Sequence, residues 1–109
     1  MWLVDGNNVM GSRPDGWWRD RAGAMQRLVN QLDDFAAATG ERVAVIFDGA
    51  DRDLQATHAR VAFAPHADDA IAERADAETT VVTSDAELVE RVRARGARVE
   101  GAGTFLRRL

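Results

Sequence analysis

Three apolar runs of this chain each stop at an aspartate, and this pattern constrains the fold more than any other feature. The runs occupy residues 2–4, 43–47 and 80–84, and the residues that end them are Asp5, Asp48 and Asp85. Short, almost wholly apolar runs are typical of parallel strands that are covered on both faces. Because functional side chains of an open α/β sheet lie outside the carboxyl ends of its strands, the pattern predicts one acidic crevice. A further acidic pair, Asp68-Asp69, is expected to join it from the start of a helix.

The remaining periodicities predict the order β-α-β-(β)-α-β-α-β-α, with a mainly parallel sheet and helices on both of its faces. Residues 6–18 are predicted to form a loop, and residues 25–36 to carry the apolar stripe of a helix that ends at Thr39-Gly40. Residues 59–64 are expected to form an edge strand. Ser84 to Glu87 has the pattern of a capping box with Ser84 as the N-cap, and Thr104 is predicted to cap a last short helix.

Size and composition limit the classes of protein that fit. A chain of 109 residues, 46% of them apolar, suits one domain spanning 1–109. There is no Cys, and all 14 basic residues are Arg, which excludes disulfides, thiolate metal sites, a Walker-type phosphate loop and a Schiff-base lysine. No segment has the length of a membrane span or the pattern of a signal peptide, so we expect a cytoplasmic protein with no membrane partner.

The charge distribution favours a polyanionic substrate despite the net charge of −4. Residues 91–109 hold six Arg and a single Glu, so the rest of the chain is strongly acidic. An acidic pocket beside a basic surface suits a metal-dependent enzyme that acts on nucleic acid. The alternative is a pair of solvated helix faces.

The clustered carboxylates predict a cation site. Asp5, Asp68, Asp69 and Asp85 would repel one another strongly if they met without a counter-ion. Oxygen ligands suit Mg²⁺ or Mn²⁺, and two such ions roughly 3.5–4 Å apart activate water and stabilise the leaving oxygen of a phosphodiester. The structural alternatives are turn formers and N-caps for the strand-end aspartates, and the helix dipole for the Asp68-Asp69 pair.

Four segments, in the same order, resemble the successive motifs of the YacP-like group of NYN-domain ribonucleases, within the PIN-like nuclease superfamily. They are Val4 to Val9, Val45 to Gly49, Ala67 to Ile71 and Val82 to Asp85. The resemblance implies a three-layer α/β/α fold that cuts RNA with Mg²⁺ or Mn²⁺. The chain departs from it at Asn7, where an aromatic residue is common, and relatives often continue beyond the last strand.

The resemblance also implies roles for individual residues. Asp5, Asp68, Asp69 and Asp85 would be the catalytic metal ligands, and Asn8 would orient Asp5 or touch a phosphate. Asp48 would line the site, and Ser84 would add a hydrogen bond.

Several side chains have competing interpretations. Arg91 and Arg95 are predicted to hold phosphates, with surface pairs to Glu87 and Glu90 as the alternative. Trp17 and Trp18 suit either base stacking or packing on the first helix. His58 and His66 are left unassigned.

The expected partner is RNA, single-stranded or structured, and a homodimer could build the substrate groove. The main rival function is a PIN-like module that binds RNA or protein without cutting. A haloacid dehalogenase-type phosphatase ranks low because the second aspartate it needs is Asn7 here.

Overall fold

A five-stranded, wholly parallel sheet forms the centre of the molecule. The structure is a computed structural model that describes residues 1–109. The strands are β1 (Trp2–Asp5), β2 (Val43–Asp48), β3 (Arg60–Ala64), β4 (Thr80–Val82) and β5 (Arg98–Glu100), in the spatial order β3-β2-β1-β4-β5. The chain leaves β1 toward β2 and β3, then returns to the other side of β1 to form β4 and β5. The switch point of the sheet therefore lies between β1 and β4, where α/β sheets place their ligands.

Five α-helices cover the two faces of the sheet. They are α1 (Gly6–Gly11), α2 (Arg21–Thr39), α3 (Ala67–Arg74), α4 (Ala86–Arg93) and α5 (Ala102–Leu106), and a 3₁₀ turn spans Trp17–Arg19. Alternate residues of the strands point to opposite faces. Val4 and Val45 thus pack with α1, α2 and α5 in one core, whereas Leu3 and Ile46 pack with α3 and α4 in another. The predicted α/β fold, three layers around a parallel sheet, is confirmed.

The longest helix, α2, has the boundaries that its sequence dictates. Asp20 accepts a hydrogen bond from the Gly23 N–H at 3.0 Å as the N-cap. Gly40 ends the helix with a φ of 71°, a left-handed conformation that favours glycine. The predicted apolar stripe is buried at Met25, Leu28 and the positions one turn further on.

The crossover from β2 to β3 contains no helix, although the two strands are parallel. Its last residues are held instead by Asp33 of α2, whose carboxylate accepts the backbone N–H groups of Thr57, His58 and Ala59. These three hydrogen bonds lower the pKa of Asp33. β3 lies at the edge of the sheet, as predicted.

The prediction of a loop from Gly6 to Trp18 is wrong for residues 6–11, which form α1. Asn7 and Asn8 favour turns because their side chains compete for local backbone groups. Here both side chains bond to the ends of neighbouring strands, so their own backbone is free to be helical. Gly6 allows this turn directly after β1, because a Cβ there would lie 2.5 Å from the Phe47 ring.

Two predicted caps are also wrong. The N-cap of α4 is Asp85, which accepts the Leu88 N–H, and not Ser84. The N-cap of α5 is Gly101, so Thr104 lies within the helix. Ser84 lies one residue before the N-cap of α4, and Thr104 lies three residues after the N-cap of α5.

Candidate active site

Asp5 is a buried carboxylate at the end of the central strand, with a relative exposure of 3%. Its Oδ2 accepts a hydrogen bond from the Thr83 hydroxyl at 2.8 Å, across the switch point. Burial, with a smaller contribution from the nearby charges of Asp68 and Asp48, raises the pKa of Asp5 to about 6. The Thr83 hydroxyl and the Asn8 backbone N–H oppose this shift because they stabilise the ionised form.

Asp48 and Asp68 face Asp5 from the neighbouring strand and from α3. The Asp48 N–H donates to Asn7 Oδ1 at 2.8 Å, and Asp48 Oδ1 accepts the Ala67 N–H at 2.8 Å. This last bond holds the first turn of α3 against the end of β2. The pKa of Asp68 is raised by partial burial and by the charges of Asp85 and Asp48. Aspartates from four separate segments therefore sense one another electrostatically at this edge of the sheet.

Asp85, Ser84 and Asn8 form the other side of the site. The Ser84 N–H donates to Asn8 Oδ1 at 2.8 Å, and Ser84 Oγ accepts the Ala102 N–H at 2.9 Å. One carboxylate oxygen of Asp85 accepts a hydrogen bond from the Leu88 N–H at 3.1 Å. The Asn8 amide NH₂ group and the second Asp85 oxygen remain without a protein partner.

Asp69 forms an ion pair with Arg91 of α4, with 2.9 Å between Nη2 and Oδ1, and is not among the charges that shift the pKa of Asp5. An open cavity of about 290 Å³ lies beside this pair, lined entirely by polar residues: Asp48, His66, Asp68, Asp69, Glu87 and Arg91. Arg91 also lowers the pKa of Asp68 and so partly offsets the acidic neighbours.

The candidate ligands suit a hard divalent cation, because all of them are carboxylates and such cations prefer oxygen ligands. The geometry is looser than a closed metal site. No three acidic or histidine side chains converge closely enough to hold one ion as they stand.

The predicted basic C-terminal surface is smaller than its number of arginines suggests. Arg108 pairs with Glu100, with 2.7 Å between Nε and Oε2, and lies over the Trp2 ring. Arg95 donates to the backbone carbonyls of Ala75 and Glu73, next to the segment that leads into the amino end of β4. Arg95 thus lies toward the edge of the sheet opposite the carboxylates, a position that disfavours its predicted contact with substrate.

Sequence reasoning missed Thr83 and Asn7, which fix the carboxylate and the strand end that surround the switch point. It also gave Glu87 a capping role, whereas Glu87 lines the acidic cavity. The pattern Thr-Ser-Asp contained a usable signal: a polar residue at the buried end of an apolar strand needs a partner.

The tryptophans divide between the core and the surface. Trp2 packs against Phe35 and Phe105, and Trp17 packs against the core beneath α1. Trp18 is 56% exposed.

A parallel α/β/α sheet with aspartates at its switch point is the architecture of the PIN-like class of proteins. The chain belongs to the YacP-like NYN domain family, whose sequence profile matches residues 2–109. Membership of this family indicates a nuclease-type function related to RNA.

Two crystal structures of Rae1 (YacP) from Bacillus subtilis are similar to this chain. The W164L mutant is 27% identical with a TM-score of 0.85, and the alignment covers 98% of this chain and 72% of that one. The other structure is 25% identical with a TM-score of 0.80, covering 99% and 72%. No curated protein is a significant match. None of the helices has the length and apolar character that a membrane crossing requires.

Proposed function

We propose that residues 1–109 form one metal-dependent ribonuclease domain that hydrolyses RNA phosphodiester bonds with Mg²⁺ or Mn²⁺. The observation that carries the proposal is the buried Asp5 at the switch point, which Asp68 and Asp48 surround with further negative charge. Burying a carboxylate among like charges is costly unless a cation offsets the repulsion. The family match supports the same chemistry.

Asp5, Asp68, Asp69 and Asp85 are the proposed metal ligands and catalytic residues. A bound divalent cation would supply a water of lowered pKa and would stabilise the charge on the leaving oxygen. Asp5 is held in place by Thr83, and Asp85 keeps one free oxygen while it caps α4. Asp69 would need to exchange its ion pair with Arg91 for the cation. Water adds to phosphorus, the bond to the leaving oxygen breaks, and no covalent bond to the protein forms.

The substrate-binding roles go to polar groups around these carboxylates. The Asn8 amide NH₂, beside Ser84, and the Arg91 guanidinium, which lines the acidic cavity, are the donors proposed to contact phosphate oxygens. Asp48 and Ser84 act mainly by holding α3 and α5 against the strand ends. Arg95 is the weakest member of the predicted set.

The test is cleavage of a labelled single-stranded RNA with Mg²⁺, Mn²⁺ or EDTA. We expect cleavage with either metal and none with EDTA. Asp5→Asn should lower the rate by at least about a hundredfold, because removal of even an outer-shell partner of a metal ligand costs 10–100-fold. The exposed Asp15→Asn is the matched control and should cleave as the wild type does. Equal rates for wild type and Asp5→Asn would refute the assignment.

A non-cleaving RNA- or protein-binding module is the second candidate. The ion pair of Asp69 with Arg91 and the lack of three convergent carboxylates favour it. RNA binding that is unchanged by EDTA, without cleavage under any metal, would select this function. Homodimerisation and a cytoplasmic location stay predictions.

A further inference from the structure

A second cavity, of about 460 Å³, opens beside the acidic site and shares Asp48 with it. Two arginines line it: Arg21, the first residue of α2, and Arg52, in the crossover between β2 and β3. Neither guanidinium forms an ion pair or donates a hydrogen bond within the protein, unlike those of Arg91, Arg95 and Arg108. Two guanidinium groups without a carboxylate partner, lining a nucleotide-sized cavity, suit phosphate binding.

The cavity also contains acceptors. Asp51, the residue before Arg52, and Asn7 also line the cavity. A bare anion in this cavity would be attracted by the arginines and repelled by the aspartates. A nucleotide complements both, because its phosphate oxygens accept from guanidinium groups and its ribose hydroxyls donate to a carboxylate.

The rim continues into an exposed aromatic surface. The Arg21 guanidinium lies 5.4 Å from the centroid of the Trp17 ring, and Trp17 meets Trp18 edge to face at 5.9 Å. Trp17 packs on the core, but Trp18 is 56% exposed, with Arg19 5.8 Å from its ring centroid. An exposed indole with one arginine beside it can serve as a stacking platform for an unpaired base.

We propose that the Arg21–Arg52 cavity and Trp18 form a subsite for single-stranded RNA on the β2 side of the acidic centre. The choice of RNA rests on the proposed ribonuclease function. The two arginines hold a backbone phosphate of the nucleotide next to the cleaved bond, and Trp18 stacks a base further along the strand. Bases inside a duplex are already stacked on one another, so the platform selects single strands.

The experiment measures binding of a labelled 12-nucleotide RNA, as a single strand and as a blunt duplex, in EDTA at several salt concentrations. The full chain is compared with Arg21→Gln, Arg52→Gln, Trp18→Ala and Trp18→Phe. Arg27→Gln is the matched control, since Arg27 is an exposed arginine of α2 outside both cavities.

Each of the two arginine variants should weaken single-strand binding about fivefold and reduce the salt slope by about one. Trp18→Ala should weaken it about tenfold, with most of the affinity restored in Trp18→Phe. The duplex should bind more weakly and be insensitive to Trp18. The proposal would be overturned if all the variants bind as Arg27→Gln does. It would also be overturned if the duplex and the single strand bind with equal affinity, or if the wild type binds no RNA.

Cleavage of the same RNA with Mn²⁺ separates this proposal from the ribonuclease assignment. Variant-sensitive binding without cleavage would refute the ribonuclease function alone. Cleavage by the wild type with no effect of the Arg21, Arg52 and Trp18 variants would refute the subsite alone.

Discussion

Replacement of Asp5 by Asn should stabilise the folded protein at neutral pH when no divalent cation is present. The side chains have nearly the same shape, and the amide oxygen can still accept from Thr83. The pKa of Asp5 is raised from 3.8 to about 6. A shift of one pKa unit is 1.36 kcal/mol, so the ionised carboxylate lowers the free energy of unfolding by about 3 kcal/mol. For a domain of this size, removing that cost raises the Tm by roughly 10 °C or more.

The sign of the pKa shift determines how the stability difference between the wild type and Asp5→Asn depends on pH. The folded protein binds the Asp5 proton more tightly than the unfolded chain, so this group is neutral and costs nothing below its unfolded pKa. Its contribution to stability falls as the pH rises from 3.8 to about 6 and stays low above that. The variant should therefore match the wild type near pH 4, within about 1 kcal/mol, and exceed it near pH 7.5.

Urea unfolding followed by tryptophan fluorescence in EDTA measures the difference at both pH values. Asp15→Asn is again the control, because it removes one exposed carboxylate from the surface. A variant that is equal to or less stable than the wild type near pH 7.5 would contradict the reasoning, since it would mean that the buried charge is not costly.

Two other substitutions test contacts around the same carboxylate. Thr83→Val should lower the free energy of unfolding near pH 7.5 by about 1–3 kcal/mol, because the buried Asp5 charge loses its hydroxyl donor, and Thr83→Ser should restore most of it in the same urea assay. Gly6→Ala should lower the Tm by forcing a Cβ against the Phe47 ring, at a cost of about 1–3 kcal/mol. Gly103→Ala, where a Cβ meets open space inside α5, should leave the Tm unchanged or raise it.

The strand ends could be predicted from the sequence because a strand that is buried on both faces is apolar at every position. Val43 to Phe47 is apolar at every position, and all five residues are buried in the structure. The position of Asp5 at the sheet edge follows from this, since the carboxyl ends of parallel strands share one edge.

The side-chain bonds between strand ends could not be predicted, because they depend on which strands are neighbours. Asn7 and Asn8 are residue types that favour turns, yet their side chains bond to Asp48 of β2 and to Ser84, two residues after β4. The extent of the basic surface formed by the arginines after residue 90 was overestimated for the same reason. The sequence gives their number, whereas their contacts with Glu100 and with the carbonyl groups at the C-terminal end of α3 decide how many remain free.

The carboxylates at the switch point are proposed to bind a divalent cation through Asp5. Titration of Mn²⁺ into the wild type, Asp5→Asn and Asp15→Asn near pH 7.5, followed by electron paramagnetic resonance of the free ion, measures this directly. We expect the wild type and Asp15→Asn to bind Mn²⁺ alike and Asp5→Asn to lose at least about a hundredfold in affinity. Equal affinity in all three proteins, or no binding by the wild type, would contradict it.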